Sequence, residues 1–190
     1  MKILIIDILL INKEITDIIR IKNMRKNTMD KNVNIIISHD GKKIVMINDI
    51  RFKGKNREDW KEVENYLKEY VGKFYEIAET SEKIFISSSF PDEYVGSESR
   101  LSLKGAVAKA KANAVQGIPE LIQIATNGEY SENTKEKHDK DAKYGWYRYD
   151  VRFALPVYDD KKGEVCHYNV FSQGCLYAMM RMAKNIFMIF

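Results

Sequence analysis

The feature that most constrains the fold is a strict alternation of residue types in "YGWYRYDVRFALPVYD", residues 144–159. One set of alternating positions holds Tyr147, Tyr149, Val151, Phe153 and Leu155, and the other holds Arg148, Asp150 and Arg152. A period of two places these sets on opposite faces of a β-strand. The turn "DKKGE" and the returning run "VCHYNVF" follow. The region 147–171 is therefore predicted to form antiparallel strands with one buried face.

Two further segments carry strong local signals. The runs "NVNIIIS" and "KKIVMINDIRF" flank "HDGK", whose Asp-Gly pair is typical of a tight turn, so a hairpin is predicted at 33–52. Asn56 is a helix N-cap candidate, acidic residues follow it, and Gly72 is a stop signal. A helix is therefore predicted at 57–71.

The remaining segments complete the element order. Residues 73–90 read as two short strands about a polar turn, and 91–100 as a loop. An alanine-rich helix and a second helix, with Pro119 in its first turn, are predicted near 103–126, followed by a polar stretch at 127–143. The fold class is α+β: an antiparallel meander with helices on one face. The predicted core is Trp60, Val63, Leu67, Phe74, Ile84, Ile86, Val107, Leu121, Ile122, Val151, Phe153, Leu155 and Val170.

The N-terminal segment 1–28 is set apart from a single domain at 29–174. It holds nine isoleucines in its first 21 residues, yet Asp7 interrupts the apolar run and no cleavage site follows. A run this short cannot span a bilayer, so neither secretion nor membrane insertion is expected. Two interpretations are open: an added amphipathic segment, or a natural translation start at Met24 or Met29. The later start is favoured because regular patterning begins only after it.

Charge and cysteine content narrow the classes of partner. The net charge is +4, but residues 1–28 hold six basic and three acidic side chains and 175–190 hold two basic and none acidic, so 29–174 carries 23 basic against 24 acidic. The diffuse positive field of a strong nucleic-acid binder is therefore absent from the domain. Cys166 and Cys175 lie nine apart, which indicates neither a disulfide framework nor a zinc site. A reducing cytoplasm, and no metal or other cofactor, is expected.

A family resemblance rests on four stretches: "YVGKFYEI" (70–77), "KIFIS" (83–87), "KAKANAVQGIPELIQIA" (109–125) and "YRYDVRFALPVYDDKKGEVCHYNVF" (147–171). Residues 50–174 resemble the large polyvalent protein-associated domain three of phages and mobile elements. The resemblance implies a fold allied to the barnase, EndoU, colicin and RelE-like nucleases. It also implies activity as a toxin-like ribonuclease or, alternatively, service as a non-catalytic module that binds other domains of a polyvalent protein.

The tail 175–190 departs from that resemblance. In such domains "YNVF" precedes an Asp-Gly-Lys turn and a last strand of the type Tyr-Leu-Tyr-Asp, whereas this chain reads "AMMRMAKNIFMIF" over 178–190. When possible codons for this tail are read in a shifted frame, they can encode "DADGKE" and "YLYD". These sequences are typical of the turn and the strand that the fold needs. A frameshifted or truncated terminus is therefore predicted in place of a native closing helix, which would leave the strand at 164–171 as an exposed edge open to self-association. Because both termini of the chain depart from the expected pattern, a third interpretation of its function is that the protein is an inactive, truncated remnant.

Candidate chemistry concentrates in "KEKHDKDAKYGWYRYDVR", residues 135–152. Metal-independent RNA cleavage needs an acid and a base, cations on the phosphate and a surface on which a base stacks. His138 is the acid or base candidate. The phosphate-holding candidates are Lys143, Arg148 and Arg152, and the stacking candidates are Trp146, Tyr147 and Tyr149. The alternative is an ordinary solvated loop next to aromatic residues that belong to the core.

Other reactive side chains give weaker signals. The face that His167 occupies depends on an unknown strand register, and His39 lies in a predicted turn. The run Ser87–Ser89 has no nucleophile-elbow context.

Overall fold

The computed structural model describes residues 32–132, 134, 145–179 and 187–189. This part of the chain is an α+β domain with a mostly antiparallel sheet, so the predicted fold class is confirmed. The strands are β1 (Val33–Ile37), β2 (Lys43–Ile47), β3 (Phe74–Glu76), β4 (Lys83–Phe85), β5 (Thr126–Ser131), β6 (Trp146–Tyr158), β7 (Val165–Met179) and β8 (Phe187–Ile189). The helices are α1 (Arg57–Leu67), α2 (Phe90–Gly96), α3 (Glu98–Ser102), α4 (Gly105–Ala114) and α5 (Ile118–Gln123).

The sheet is ordered β1-β2-β6-β7-β8-β4-β3, and β5 also pairs with β6. The long antiparallel pair of β6 and β7 forms its centre. Two short contacts are parallel: β2 with β6 and β4 with β8, each over two residue pairs. Parallel neighbours need a long crossover connection, and the helices lie between β2 and β6 in the chain. The expectation of a wholly antiparallel sheet is therefore wrong at these two contacts.

The predicted N-terminal hairpin is confirmed. β1 and β2 pair in register from Val33 opposite Ile47 to Ile37 opposite Lys43. Gly41 has a φ of +76°, a backbone conformation that glycine adopts without the steric cost of a side chain. Asp40 stabilises the same turn, because its carboxylate accepts a hydrogen bond from the Lys42 backbone N–H at 3.1 Å.

The predicted first helix is also confirmed. Asn56 caps α1, since its side chain accepts a hydrogen bond from the Asp59 N–H at 2.8 Å and the Asp59 carboxylate binds the Asn56 N–H in return. Such a capping box satisfies two N–H groups that have no partner within the helix. After Leu67 the chain continues as a 3₁₀ turn, and Gly72 follows with a φ of +81°.

The main core lies between the sheet and the helices. β6 contributes Tyr149, Val151, Phe153 and Leu155 to it, as the alternation predicted. Helix α4 contributes mostly alanines, whose small side chains let neighbouring backbone approach closely. Gly117 follows α4, and a Cβ there would lie 2.9 Å from Cγ1 of Val45, so a larger residue would force this contact between helix and sheet to shift.

A buried amide ties the chain after β2 to the helices. Asn113 accepts a hydrogen bond from the Phe52 N–H at 3.0 Å and donates one to the Phe52 carbonyl at 2.7 Å. Gln116 donates to the Asp49 carbonyl at 3.1 Å and accepts from the Asn32 side chain at 2.7 Å. The backbone between β2 and α1 therefore has side-chain partners in place of a strand neighbour.

Several local predictions are wrong. Residues predicted as a loop at 91–100 form most of α2 and α3, and the polar start of 127–143 belongs to β5. Three predicted core residues are not fully buried: Phe74 is 53% exposed on the edge strand β3, Val170 is 39% exposed, and Val107 is half-buried. The other ten predicted core residues are buried.

The tail is partly described. Residues 175–179 continue β7, and β8 pairs with β7 and β4, so the described part of the tail is strand and not a closing helix. The frameshift prediction concerns the gene and stays a prediction. Residues 1–31, which include both candidate start sites, lie outside the described residues.

Candidate functional site

A cleft opens where strand β6 changes its neighbour. On one edge β6 pairs with β5 as far as Asp150 and with β2 from Phe153 onward. Between these contacts, Val151 and Arg152 have no ladder partner on that edge among the described strands. The cleft here has a volume of about 700 Å³. Its lining includes Gly41, Lys42, Lys43, Glu79, Thr126, Asn127, Arg148, Asp150 and Arg152.

Arg152 is held in place by the hairpin turn. Its guanidinium lies 2.7 Å from a carboxylate oxygen of Asp40. Asp40 also accepts hydrogen bonds from the Ser38 hydroxyl and the Lys42 N–H, and these contacts, with Ser38 the largest cause and Arg152 the second, hold the pKa of Asp40 well below its usual range. This ion pair links Arg152, which lines the cleft, to the hairpin turn between β1 and β2.

Asp150 is held by the irregular start of β5. The ladder between β5 and β6 shifts register between Thr126 and Glu129. Within that shift Asn127 adopts a φ of +56°, and its side-chain amide donates to the Asp150 carboxylate at 3.0 Å. A bulge of this kind changes the direction in which a strand presents its side chains.

Arg148 differs from Arg152 in having no such partner. It is half-buried and makes no hydrogen bond or ion pair with any residue that the structure describes. Lys42 and Lys43 also line the cleft and are exposed. A guanidinium with unused donors in the same cleft as two ammonium groups is suited to a phosphate or carboxylate oxygen.

Tyr149 lies on the other face of the sheet from the two arginines. Its side chain is 2% exposed, and its hydroxyl donates to the Glu82 carboxylate. Burial, and then the contact with Glu82, raises the pKa of Tyr149. Gly128 packs on its ring, because a Cβ there would lie 2.7 Å from a ring carbon. The structure therefore does not bring Tyr149 together with Arg148 and Arg152.

The predicted stacking residues lie at the N-terminal end of β6. Tyr147 and Trp146 are half-buried and pack against the main core. The ring centroid of Tyr147 lies 5.4 Å from that of Tyr130 and 6.2 Å from that of Tyr149. Of these rings, Tyr130 is 50% exposed, and it was not a predicted site residue.

Two predicted site residues, His138 and Lys143, lie outside the described residues. His39 is exposed beside Asp40 in the hairpin turn, and His167 lies on β7 opposite Val157. The sequence analysis did not select Lys42, Lys43 or Asn127. The basic pair after the Asp-Gly turn was visible, but its position near Arg152 depends on a pairing between β2 and β6 that local pattern cannot reveal.

The described ranges contain no cluster of three or more His, Cys, Asp or Glu side chains arranged to hold a metal ion. None of the helices in those ranges has the length and apolar character that crossing a membrane requires. No protein-family model matches the chain, and comparison with curated proteins and with solved structures gives no significant match. The resemblance to the polyvalent-protein domain therefore stays a prediction.

Proposed function

We propose that the cleft binds the phosphodiester backbone of RNA and that the protein acts as a metal-independent ribonuclease, a toxin-like effector of a mobile element. The observation that supports RNA binding is the Arg148 guanidinium, which has no partner among the described residues and lies in a cleft that Lys42 and Lys43 also line. Hydrogen bonds between arginine and phosphate are charge-assisted and often bidentate. Such contacts contribute most to the binding free energy when the unused donors lie in a concave, partly desolvated site.

The strand geometry adds a second argument. Arg148 and Arg152 lie on the same face of β6, four residues and therefore about 13 Å apart along the strand. Asp150 lies between them and is already bound to Asn127. A polynucleotide strand lying along β6 would present more than one phosphate to this face, in a cleft that Lys42 and Lys43 also line.

Cleavage would require an acid and a base at the bound phosphate. His138 is the proposed acid or base, and Lys143 is a proposed phosphate contact, as the sequence analysis predicts. Tyr149 is not proposed as a general base, because it is buried on the opposite face of the sheet and its pKa is raised. The described residues therefore support binding more directly than they support catalysis.

The test of binding compares two arginine variants. Arg148→Gln should weaken binding of a fluorescent single-stranded RNA by about tenfold, which is the loss expected from one charge-assisted contact. It should also reduce the slope of log affinity against log salt by about 1. Arg57→Gln removes an exposed arginine at the start of α1, outside the cleft, and is the matched control. Equal affinities for the two variants would contradict the proposal.

The test of catalysis is separate. His138→Ala should abolish cleavage of the same RNA while leaving its affinity within about threefold, since general acid–base groups contribute to the transition state more than to binding. A preparation that binds RNA through Arg148 but never cleaves it would favour the second candidate, a non-catalytic binding module. One observation favours that candidate: Arg152 and Asp150 are already paired within the protein.

A further inference from the structure

A groove at the start of helix α1 has a volume of about 780 Å³. Its lining residues come from 55–64 at the beginning of α1, from the end of α2 and from α3. All of them belong to the part of the chain that the structure describes. The α1 groove shares no lining residue with the cleft beside β6, so it is a second, separate concave surface.

The apolar part of the α1 groove that a ligand can reach is aliphatic. Leu101 of α3 is 60% exposed, and Val95 of α2 is half-buried. Trp60 also lines the groove, but it is 5% exposed and the Arg100 guanidinium lies over its ring, 5.1 Å from the centroid. The indole therefore offers little surface on which a nucleic-acid base could stack, whereas Leu101 is open to an apolar side chain of a ligand.

The polar part of the α1 groove is basic. Four of its lining residues are basic and two are acidic: Lys55, Arg57, Lys61, Arg100, Glu58 and Glu64. This excess is local, because residues 29–174 as a whole carry 23 basic against 24 acidic side chains. Lys55, Arg57 and Arg100 form no ion pair with any residue that the structure describes. The groove is therefore positively charged within a domain that is nearly neutral.

One of the two carboxylates is already neutralised. Glu64 is 8% exposed and accepts hydrogen bonds from Lys61 at 2.7 Å and from Lys68 at 2.8 Å. These contacts, with Lys61 the largest cause, hold the pKa of Glu64 below its ordinary value. Since two ammonium groups outweigh the charge of this carboxylate, Glu58 is the carboxylate of the groove that would repel an anionic ligand.

We propose that the α1 groove docks a short acidic segment of a partner protein and that an aliphatic side chain of this segment packs on Leu101. The carboxylates of the segment pair with Lys55, Arg57 and Arg100. Arginine binds carboxylates through charge-assisted hydrogen bonds, and complementary charge across an interface selects the partner. The positive charge of the groove sets the sign of the ligand, and the exposed leucine favours a peptide over a nucleic acid.

A designed peptide tests both properties of the ligand without altering the protein. The probe is a fluorescent peptide in which glutamates flank one central leucine, and fluorescence anisotropy measures its affinity for the full chain. One control peptide has glutamine in place of every glutamate, and the other has serine in place of the leucine. Each change should weaken binding by at least about tenfold, because it removes the charge or the apolar contact. A control peptide that binds as tightly as the probe would overturn the proposal.

Variants of the protein locate the binding site. Leu101→Asp should weaken binding of the probe by at least about tenfold, since it replaces the apolar contact by a charge of the ligand's own sign. Val165→Asp is the matched control, because Val165 is also exposed, at 42%, and lies on β7 outside the groove. Lys55→Gln should weaken binding by about threefold, as is typical of one exposed charge pair, and Lys162→Gln in the turn after β6 should not. Equal losses in Leu101→Asp and Val165→Asp would contradict the proposed site.

Two further measurements separate this surface from the RNA cleft, on which the proposal does not depend. In two-dimensional NMR of the full chain, the probe should shift the Trp60 indole and Leu101 methyl signals. Shifts confined to residues of the cleft beside β6 would place the peptide there and overturn the proposal. Single-stranded RNA should not displace the probe. Displacement that is equally efficient with Arg148→Gln would show that the α1 groove itself binds nucleic acid, and the acidic peptide would then be the wrong ligand.

Discussion

The two faces of strand β6 differ in how they are buried. On the helix side, four alternate positions from Tyr149 to Leu155 belong to one continuous core. On the other side the strand passes from Arg148, Asp150 and Arg152 to Ala154, so charged and apolar environments share one face. The difference shows that one face of a strand can belong to the core over four successive alternate positions while the other face is divided between a polar cleft and a small apolar cluster around Ala154.

The largest effect should come from the helix side. Phe153 is fully buried and stacks on Phe171 with ring centroids 5.2 Å apart. Phe153→Ala should lower the free energy of unfolding by about 3–5 kcal/mol, since it removes a large buried side chain and leaves a cavity. Val170→Ala, on the other face, should cost less than about 1 kcal/mol because that side chain is already exposed. Denaturant unfolding measures both, and similar losses would remove the contrast between the faces.

The second prediction concerns how the helices are attached to the core. Asn113→Ala leaves the N–H and the carbonyl of Phe52 without their side-chain partner in a buried site. We expect a loss of about 2–3 kcal/mol in the free energy of unfolding, the cost of unsatisfied buried polar groups. Asn65→Ala on the exposed side of α1 is the control and should stay within about 0.5 kcal/mol of the wild type. A small effect at Asn113 would mean that water replaces the lost amide.

The sequence predicted the elements that depend on interactions between residues close in the chain, and it missed those that depend on distant residues. The alternation on β6, the Asp-Gly hairpin and the Asn56 cap are local and were predicted correctly. Helix α2 was missed because its anchor is distant: the Tyr94 hydroxyl donates to the Lys111 carbonyl at 2.7 Å, across 17 residues. Strand β5, "TNGEYS", has little strand propensity and exists where the edge of β6 accepts it.

The candidate site shows the same limit. The shared polar face of Arg148 and Arg152 was predicted correctly, because a period of two is enough to place them on one side of the strand. The contact between Arg152 and Asp40 joins residues 112 positions apart and requires the parallel contact of β2 with β6. A single sequence carries no register signal for such a contact, so the hairpin side of the cleft was not predicted.

The third prediction tests the packing of Tyr149 under β5. Gly128→Ala would place a Cβ 2.7 Å from the ring, so the ring or the strand must move. We expect a loss of about 1–3 kcal/mol in the free energy of unfolding, as is usual when extra atoms enter a filled core. Gly96→Ala is the matched control, because a Cβ there meets nothing within 4 Å. Equal stability of the two variants would show that Tyr149 has room to shift.

The smallest effect should appear on the polar face, as a dependence on pH. Contacts with Ser38 and Arg152 lower the pKa of Asp40 in the folded protein below the ordinary Asp value of 3.8. Because the folded-state pKa is lowered, ionised Asp40 stabilises the folded protein at pH values above 3.8. This stabilisation is lost as the pH falls from 3.8 toward the lowered pKa. Stability should therefore decline in acid below about pH 4, and the decline should be shallower in Arg152→Gln.

A carbon-detected NMR titration of the Asp40 carboxyl separates the two causes. Arg152→Gln should raise the pKa of Asp40 toward 3.8, and Ser38→Ala should raise it further, because the Ser38 hydrogen bond is the larger cause. Arg148→Gln is the charge-matched control: Arg148 makes no contact with Asp40, so its removal should leave that pKa nearly unchanged. If Arg148→Gln raised the pKa as much as Arg152→Gln, the lowering would come from the general positive charge of the cleft. The hairpin would then contribute no specific orientation to Arg152, and the polar and apolar ends of this face would differ in composition alone.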